Sequence, residues 1–295
     1  MPIKSSGQLS LPIDYLVEVD RNFEKGGRSF YFFDFDDNVI HLSTQIVLFE
    51  KTTRREVSVS TADFALVRSL VGKPGTEWEN FELSFDDMGS FRNFREMRGE
   101  FLKDRPQPLI ADMLAALQNP FMEWRGPSWE FFVHAVNNNR PIAIITARGH
   151  HPHTIRRAIN ILVESRDLMA SPNYLSVYPV SHPETRKRLG DAEYAWDTTQ
   201  LKKEAIKAAI RDAFECYGEN PHHRFGMSDD DPENVAVIRE AMMEIKKEFP
   251  ENAFFVFNTH GRKLVRDEIL TEGSRTDDLT PNQVPLFDSE GNNKP

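Results

Sequence analysis

Hydrophobic positions along the chain fall into two kinds of pattern. Short continuous apolar runs occur at residues 30–33, 142–145 and 253–257, with a weaker one at 175–180, as expected of strands buried on both faces. Between and after them lie stretches with helical spacing, at 127–137, 153–164, 199–217 and 233–249. In the last of these, Val235, Ile238, Ala241, Met242 and Ile245 recur on one face, the face that packs on a sheet. Asn137-Asn138-Asn139 reads as a helix exit before the strand at Ile142. Strand and helix alternate, which predicts an α/β fold with helices on both faces of a mainly parallel sheet.

The stretch between the first two strong runs is no simple crossover. Residues 45–49 and 56–60 are strand-like and flank the polar Lys51-Thr52-Thr53-Arg54-Arg55, predicting a β-hairpin; residues 61–71 read as a helix. Residues 72–108 are aromatic and charged without a period and are assigned to an insertion. After Leu270 the chain turns polar, so 271–295 is expected to be a flexible tail, with Pro285-Leu286-Phe287 as a possible short docking element. The chain contains no internal repeat.

Composition narrows the partners. A chain of 295 residues with 39% hydrophobic and 28% charged positions has enough material for one large core and an insertion. Asp and Glu outnumber Lys and Arg, 46 to 36, for a net charge of -10. That balance argues against broad attraction to nucleic acid or anionic membrane while leaving room for a local basic pocket. The single cysteine, Cys216, has no partner for an intrachain disulfide and no activating neighbour, so it is read as a buried or inert thiol in a reducing compartment. The first residues lack the apolar stretch of a secretory signal, and no run is long enough to span a bilayer. A cytoplasmic, soluble protein is expected.

Candidate chemistry begins where the first strand ends, in Asp34-Phe35-Asp36-Asp37-Asn38. The carboxyl ends of strands are where open α/β sheets bind ligands. Alternation along a strand lets Asp34 and Asp36 point to one site. Two carboxylates so close call for a cation or a shared proton, and oxygen ligands of this kind suit magnesium. One acid can attack phosphorus while the other exchanges protons with the leaving oxygen and with water. Alone, such a pair more often marks a solvated turn. A calcium loop is excluded, since Val39 and Gln45 stand where that loop needs glycine and a bidentate glutamate.

Three further segments follow in order. Thr146-Ala147-Arg148-Gly149 closes the run at 142–145; Lys202-Lys203 opens the helix at 199–217; and Ser228-Asp229-Asp230-Asp231-Pro232-Glu233 runs from an apolar stretch into a helix. With these four segments in this order, the chain resembles the haloacid dehalogenase superfamily over its core. The family commonly has glycine and threonine where Asp37 and Asn38 stand here.

The resemblance implies a Rossmann-like three-layer core at 1–40 and 109–270, with a cap inserted at 41–108 between the first and second motifs. It implies a magnesium-dependent phosphatase in which Asp34 attacks phosphorus and Asp36 is acid and base. Thr146, Arg148 and a motif lysine, Lys202 in preference to Lys203, would hold the phosphate of a small phosphorylated substrate. The magnesium ion would be held by Asp34, Asp36 through its backbone carbonyl, and Asp229, with Asp230 or Glu233 assisting. A non-catalytic binding or regulatory protein, or a phosphotransferase to an acceptor other than water, are the rival expectations. His150, His151 and His153 are expected to be hydrated loop residues, with His150 and Arg148 the candidates among them for anion contacts. Trp124, Trp129, Phe131 and Phe132 are expected to pack the core.

Overall fold

The computed structural model describes residues 17–97, 99, 105–119, 124–262 and 264–279. The first fifteen residues and Pro285-Leu286-Phe287 lie outside them. The core elements are β1 (Ser29–Phe33), α2 (Pro108–Ala116), α3 (Trp129–Asn137), β5 (Pro141–Thr146), α4 (Pro152–Glu164), β6 (Asn173–Pro179) and α5 (Pro183–Leu189). They continue with α6 (Thr198–Tyr217), β7 (Arg224–Asp229), α7 (Pro232–Glu248), β8 (Ala253–Asn258), β9 (Leu264–Ile269) and β10 (Ser274–Leu279). Among the described residues these strands form a seven-stranded sheet in the order β10-β9-β8-β7-β1-β5-β6. The pairs among β6, β5, β1, β7 and β8 are parallel, whereas β9 and β10 run antiparallel at one edge.

Strand alternation divides the core into two faces. Tyr31, Phe33, Ile142, Ile144, Phe255 and Phe257 pack with side chains of α2, α3 and α4. Phe30, Phe32, Ala143, Ile145, Phe225 and Met227 pack with α6 and α7. Both faces are covered, which is why these strands read as unbroken apolar runs. The result is a helix–sheet–helix α/β architecture compatible with a Rossmann-like fold. Trp124, Trp129, Phe131 and Phe132 are buried in the first of these clusters.

The segment between β1 and α2 builds a second sheet, in the order β3-β2-β4, from β2 (Gln45–Glu50), β3 (Glu56–Ser60) and β4 (Phe81–Glu82). The predicted hairpin is there as β2–β3. The aromatics of the aperiodic stretch fill a small third core: Phe64, Trp78, Phe81, Phe91 and Phe94 pack around Ile46, Leu48 and Val59. The helix expected at 61–71 is α1 (Thr61–Val67); beyond it the chain turns toward Gly72, whose φ of 76 ends helical progress.

One expectation is corrected outright. Ser274–Leu279, assigned by sequence to a flexible tail, is the edge strand β10, paired antiparallel with β9 across a turn in which Leu270 N–H donates to Gly273 O at 3.0 Å. Its polar sequence is that of an edge strand held by cross-strand pairs. Arg266 Nη2 donates to Asp277 Oδ2 at 2.9 Å and Thr276 Oγ1 to Asp267 Oδ1 at 2.6 Å.

Candidate active site

Parallel pairing brings the carboxyl ends of β1, β5 and β7 to one edge of the sheet, with β1 between the other two. The chain reverses its direction of travel across the sheet here, the usual place for a ligand crevice. Asp34 follows β1, Thr146 ends β5, Asp229 ends β7, and Lys202 lies near the start of α6. Asp197 caps that helix, its side chain accepting from Gln200 N–H at 2.8 Å.

Lys202 is buried and ties the cluster together. Its Nζ donates to Asp34 Oδ1 at 3.0 Å and to Asp229 Oδ2 at 3.1 Å. Lys203, the alternative, points to α7, where it pairs with Glu240 at 2.8 Å and Glu244 at 2.7 Å. Of the two lysines, Lys202 is the one joined to the acidic cluster. Asp229 Oδ1 also accepts from Asp231 N–H at 3.0 Å and Asn234 Nδ2 at 3.2 Å, so its orientation is fixed by α7. Asp231 caps α7. Glu233 turns outward to Arg68.

Asp34, Asp229 and Asp230 each offer a carboxylate oxygen within 4.8 Å of the others. Three acids face one ammonium, and the charge excess registers in the protonation of Asp34 and Asp230. Burial pushes Asp34 well above the ordinary carboxylate range; Lys202 opposes that, while Asp229, Asp36 and Asp230 add to it. Asp230 is raised to about 7 by burial and by the charges of Asp229 and Asp37. For Lys202, burial disfavours the charged form, but Asp229 and Asp34 outweigh it and hold the ammonium above its ordinary value. A hard divalent cation fits this donor set: all ligands are oxygens, and positive charge relieves the excess.

Asp36 stands apart from that trio and is fixed by a different set of groups. Arg148 Nε donates to its Oδ1 at 3.0 Å and Oδ2 at 2.9 Å, Arg148 Nη2 to Oδ1 at 2.7 Å, and Thr146 Oγ1 to Oδ2 at 3.3 Å. Arg148 is fully buried, lies over the Phe94 ring at 4.9 Å, and donates to Thr44 Oγ1 at 2.6 Å. Thr44 in turn donates to Asp112 Oδ2 at 2.5 Å. Arg148 was expected to hold substrate phosphate; its Nε and Nη2 engage Asp36 and orient that acid, while its buried Nη1 has no hydrogen-bond partner among the described residues. A guanidinium matches a carboxylate bidentately, and burial makes the match strong.

Asp37 and Asn38 have specific structural roles. Asp37 sits at φ 58, the left-handed conformation that glycine supplies most readily and aspartate tolerates. Its side chain accepts from Thr61 Oγ1 at 3.0 Å. Asn38 is wholly buried and joins four segments. Its Nδ2 donates to Asp34 O at 3.2 Å and to Ser228 O and Oγ at 3.0 Å each, while its Oδ1 accepts from Ser128 Oγ at 2.7 Å and Thr259 Oγ1 at 2.9 Å. Gly126 follows from the same packing, since a Cβ there would lie 2.3 Å from Asn38 O.

One lesser expectation is overturned, and of the two readings of Cys216 the buried one is removed. His150 is not hydrated: it is fully buried, and burial together with Arg148 and His182 lowers its pKa to about 3. Cys216 is exposed. Sequence reasoning missed Asn38, Thr44 and Asp112 as partners of the site. An asparagine four residues from Asp34 was a signal for the first; Thr44 and Asp112 carry none, because only the fold brings them to Arg148.

Comparison of the chain with family models, with curated proteins and with solved structures finds no match. Among the described residues, no helix is long and apolar enough to cross a membrane.

Proposed function

We propose that the chain is a magnesium-dependent phosphomonoester hydrolase working through an aspartyl-phosphate on Asp34. The observation that carries this reading is the bridge from Lys202 to both Asp34 and Asp229, with Asp230 in the same cluster. It joins residues from three of the segments that resemble the haloacid dehalogenase motifs, and the fourth, at Thr146, is joined through Asp36.

In this mechanism Asp34 attacks phosphorus, and the bond to the leaving oxygen breaks. Asp36 gives that oxygen a proton, then takes one from the water that hydrolyses the acyl phosphate and restores Asp34. Lys202 neutralises the nucleophile and the phosphoryl oxygens, and the Thr146 hydroxyl turns toward one of those oxygens. Arg148 aims Asp36, so its effect on rate passes through that carboxylate. Asp34, Asp229, Asp230 and the Asp36 carbonyl would hold magnesium, which would supply positive charge beside the transferring group.

The second sheet serves as the cap. The segment that carries it meets the core at three points: Thr61 reaches Asp37, Arg68 Nη2 donates to both carboxylate oxygens of Glu233 at 3.0 Å, and Glu96 accepts from His151 N–H and Thr154 Oγ1 at 2.9 Å each. Cover of this kind excludes water from the reacting groups.

The test is a broad panel of phosphomonoesters, with and without magnesium, on the wild type and Asp34→Asn. Turnover that needs both the metal and Asp34 is expected. No turnover across the panel, or an Asp34→Asn variant as fast as wild type, overturns the reading.

A further inference from the structure

On the exposed face of the helix that follows β5, α4 forms one wall of a cleft of about 280 Å³. His153, Arg156, Arg157 and Asn160 line it, at the i, i+3, i+4, i+7 spacing that places side chains on one helix face. Ser171 and Tyr174 form the opposite wall. Among the described residues no acidic side chain lines this cleft, although the chain carries a net charge of -10.

An ordinary solvated helix face in an acidic protein mixes its charges. The other long helices do so: Lys203 and Lys207 on α6 pair with Glu240 and Glu244 on α7. The α4 face differs, since among the described residues neither Arg156 nor Arg157 forms an ion pair. Glu164, the nearest acid on the same helix face, is engaged by Asn160 Nδ2 at 2.8 Å.

The cleft is also partly organised for a ligand. The Arg156 guanidinium lies over the Tyr174 ring at 5.0 Å, which limits its freedom before any ligand arrives. Burial holds the Tyr174 phenol above its ordinary pKa even against the charge of Arg156, so its hydroxyl stays a neutral donor. Ser171 Oγ reaches Asn160 Oδ1 at 3.5 Å, which ties the two walls together.

We infer that this cleft binds a small, multiply charged anion bearing phosphate or carboxylate groups, at a site separate from the acidic cluster. Two arginines on adjacent positions, a histidine and neutral hydroxyl donors make the recognition set. The inference stands whether or not the chain is a phosphatase.

Calorimetric titration in magnesium-free buffer, with diphosphate in one arm and citrate in the other, tests it on the full chain. The comparison is wild type against the double variant Arg156→Ala, Arg157→Ala, whose altered side chains are exposed and whose thermal midpoint is measured alongside. Wild type is expected to bind at least one of the two anions, with affinity that falls as salt rises. The double variant should lose about tenfold or more. Preference for diphosphate assigns the site to phosphorylated ligands, and preference for citrate to carboxylates. Wild type that binds neither anion, or a double variant that binds as wild type does, overturns the inference.

Discussion

Lys202 and Lys203 are adjacent in sequence and opposite in consequence. Lys202 is buried between Asp34 and Asp229, so Lys202→Met leaves uncompensated carboxylates in the interior. A loss of about 3–5 kcal/mol is expected from chemical denaturation of the metal-free protein, along with loss of turnover. Lys203 faces the more exposed Glu240 and Glu244, and Lys203→Met should cost under about 1 kcal/mol and leave turnover near wild type. Equal effects in the two variants would contradict the assignment. The sequence named both lysines and the acids at 34, 36 and 229 because each stands at a strand end or helix start. It did not show the tie of Arg148 to Asp36 and Thr44, which are adjacent to it only in the folded chain.

At the scale of elements, the loop after β1 depends on close backbone packing. Gly126→Ala would press a methyl group into Asn38 O, 2.3 Å away, and should destabilise by about 1–3 kcal/mol. Because Asn38 also holds Asp34 O and Ser228, turnover should fall more than stability alone explains. Measuring kcat at a temperature where both proteins are fully folded separates the two effects. The central strands were legible as apolar runs because helices cover both their faces. The edge strand β10 was not, since its stability comes from pairs such as Arg266 with Asp277, and alternating polar residues read alike in a strand or a tail. Ending the chain at Leu270 should accordingly lower the thermal midpoint by several degrees; an unchanged midpoint would show that β10 adds nothing to the sheet. In the inserted sheet, the hairpin was readable and the aromatic stretch was not, because its rings converge from irregular segments.

For the whole molecule, charge at the site links protons, stability and the proposed metal. Asp230 is raised from 3.8 to about 7, and Asp34 moves in the same direction. A carboxyl whose folded pKa lies above its unfolded value binds protons more tightly when folded. Its stabilising contribution is complete below about pH 4 and disappears as pH rises through about 7. The metal-free protein should therefore lose thermal stability from this source between those values. Magnesium bound as proposed would compete with the same protons, so the rise in midpoint it produces should be larger at about pH 8 than at about pH 5. A magnesium effect independent of pH would separate the metal from these acids. The most direct test of the central claim is to quench turnover of a labelled phosphomonoester in acid and map the label on the protein. The account predicts a labelled phosphoryl group on the peptide containing Asp34, absent from Asp34→Asn and dependent on magnesium. Turnover without a label at Asp34, at a rate unchanged in Asp34→Asn, would contradict it.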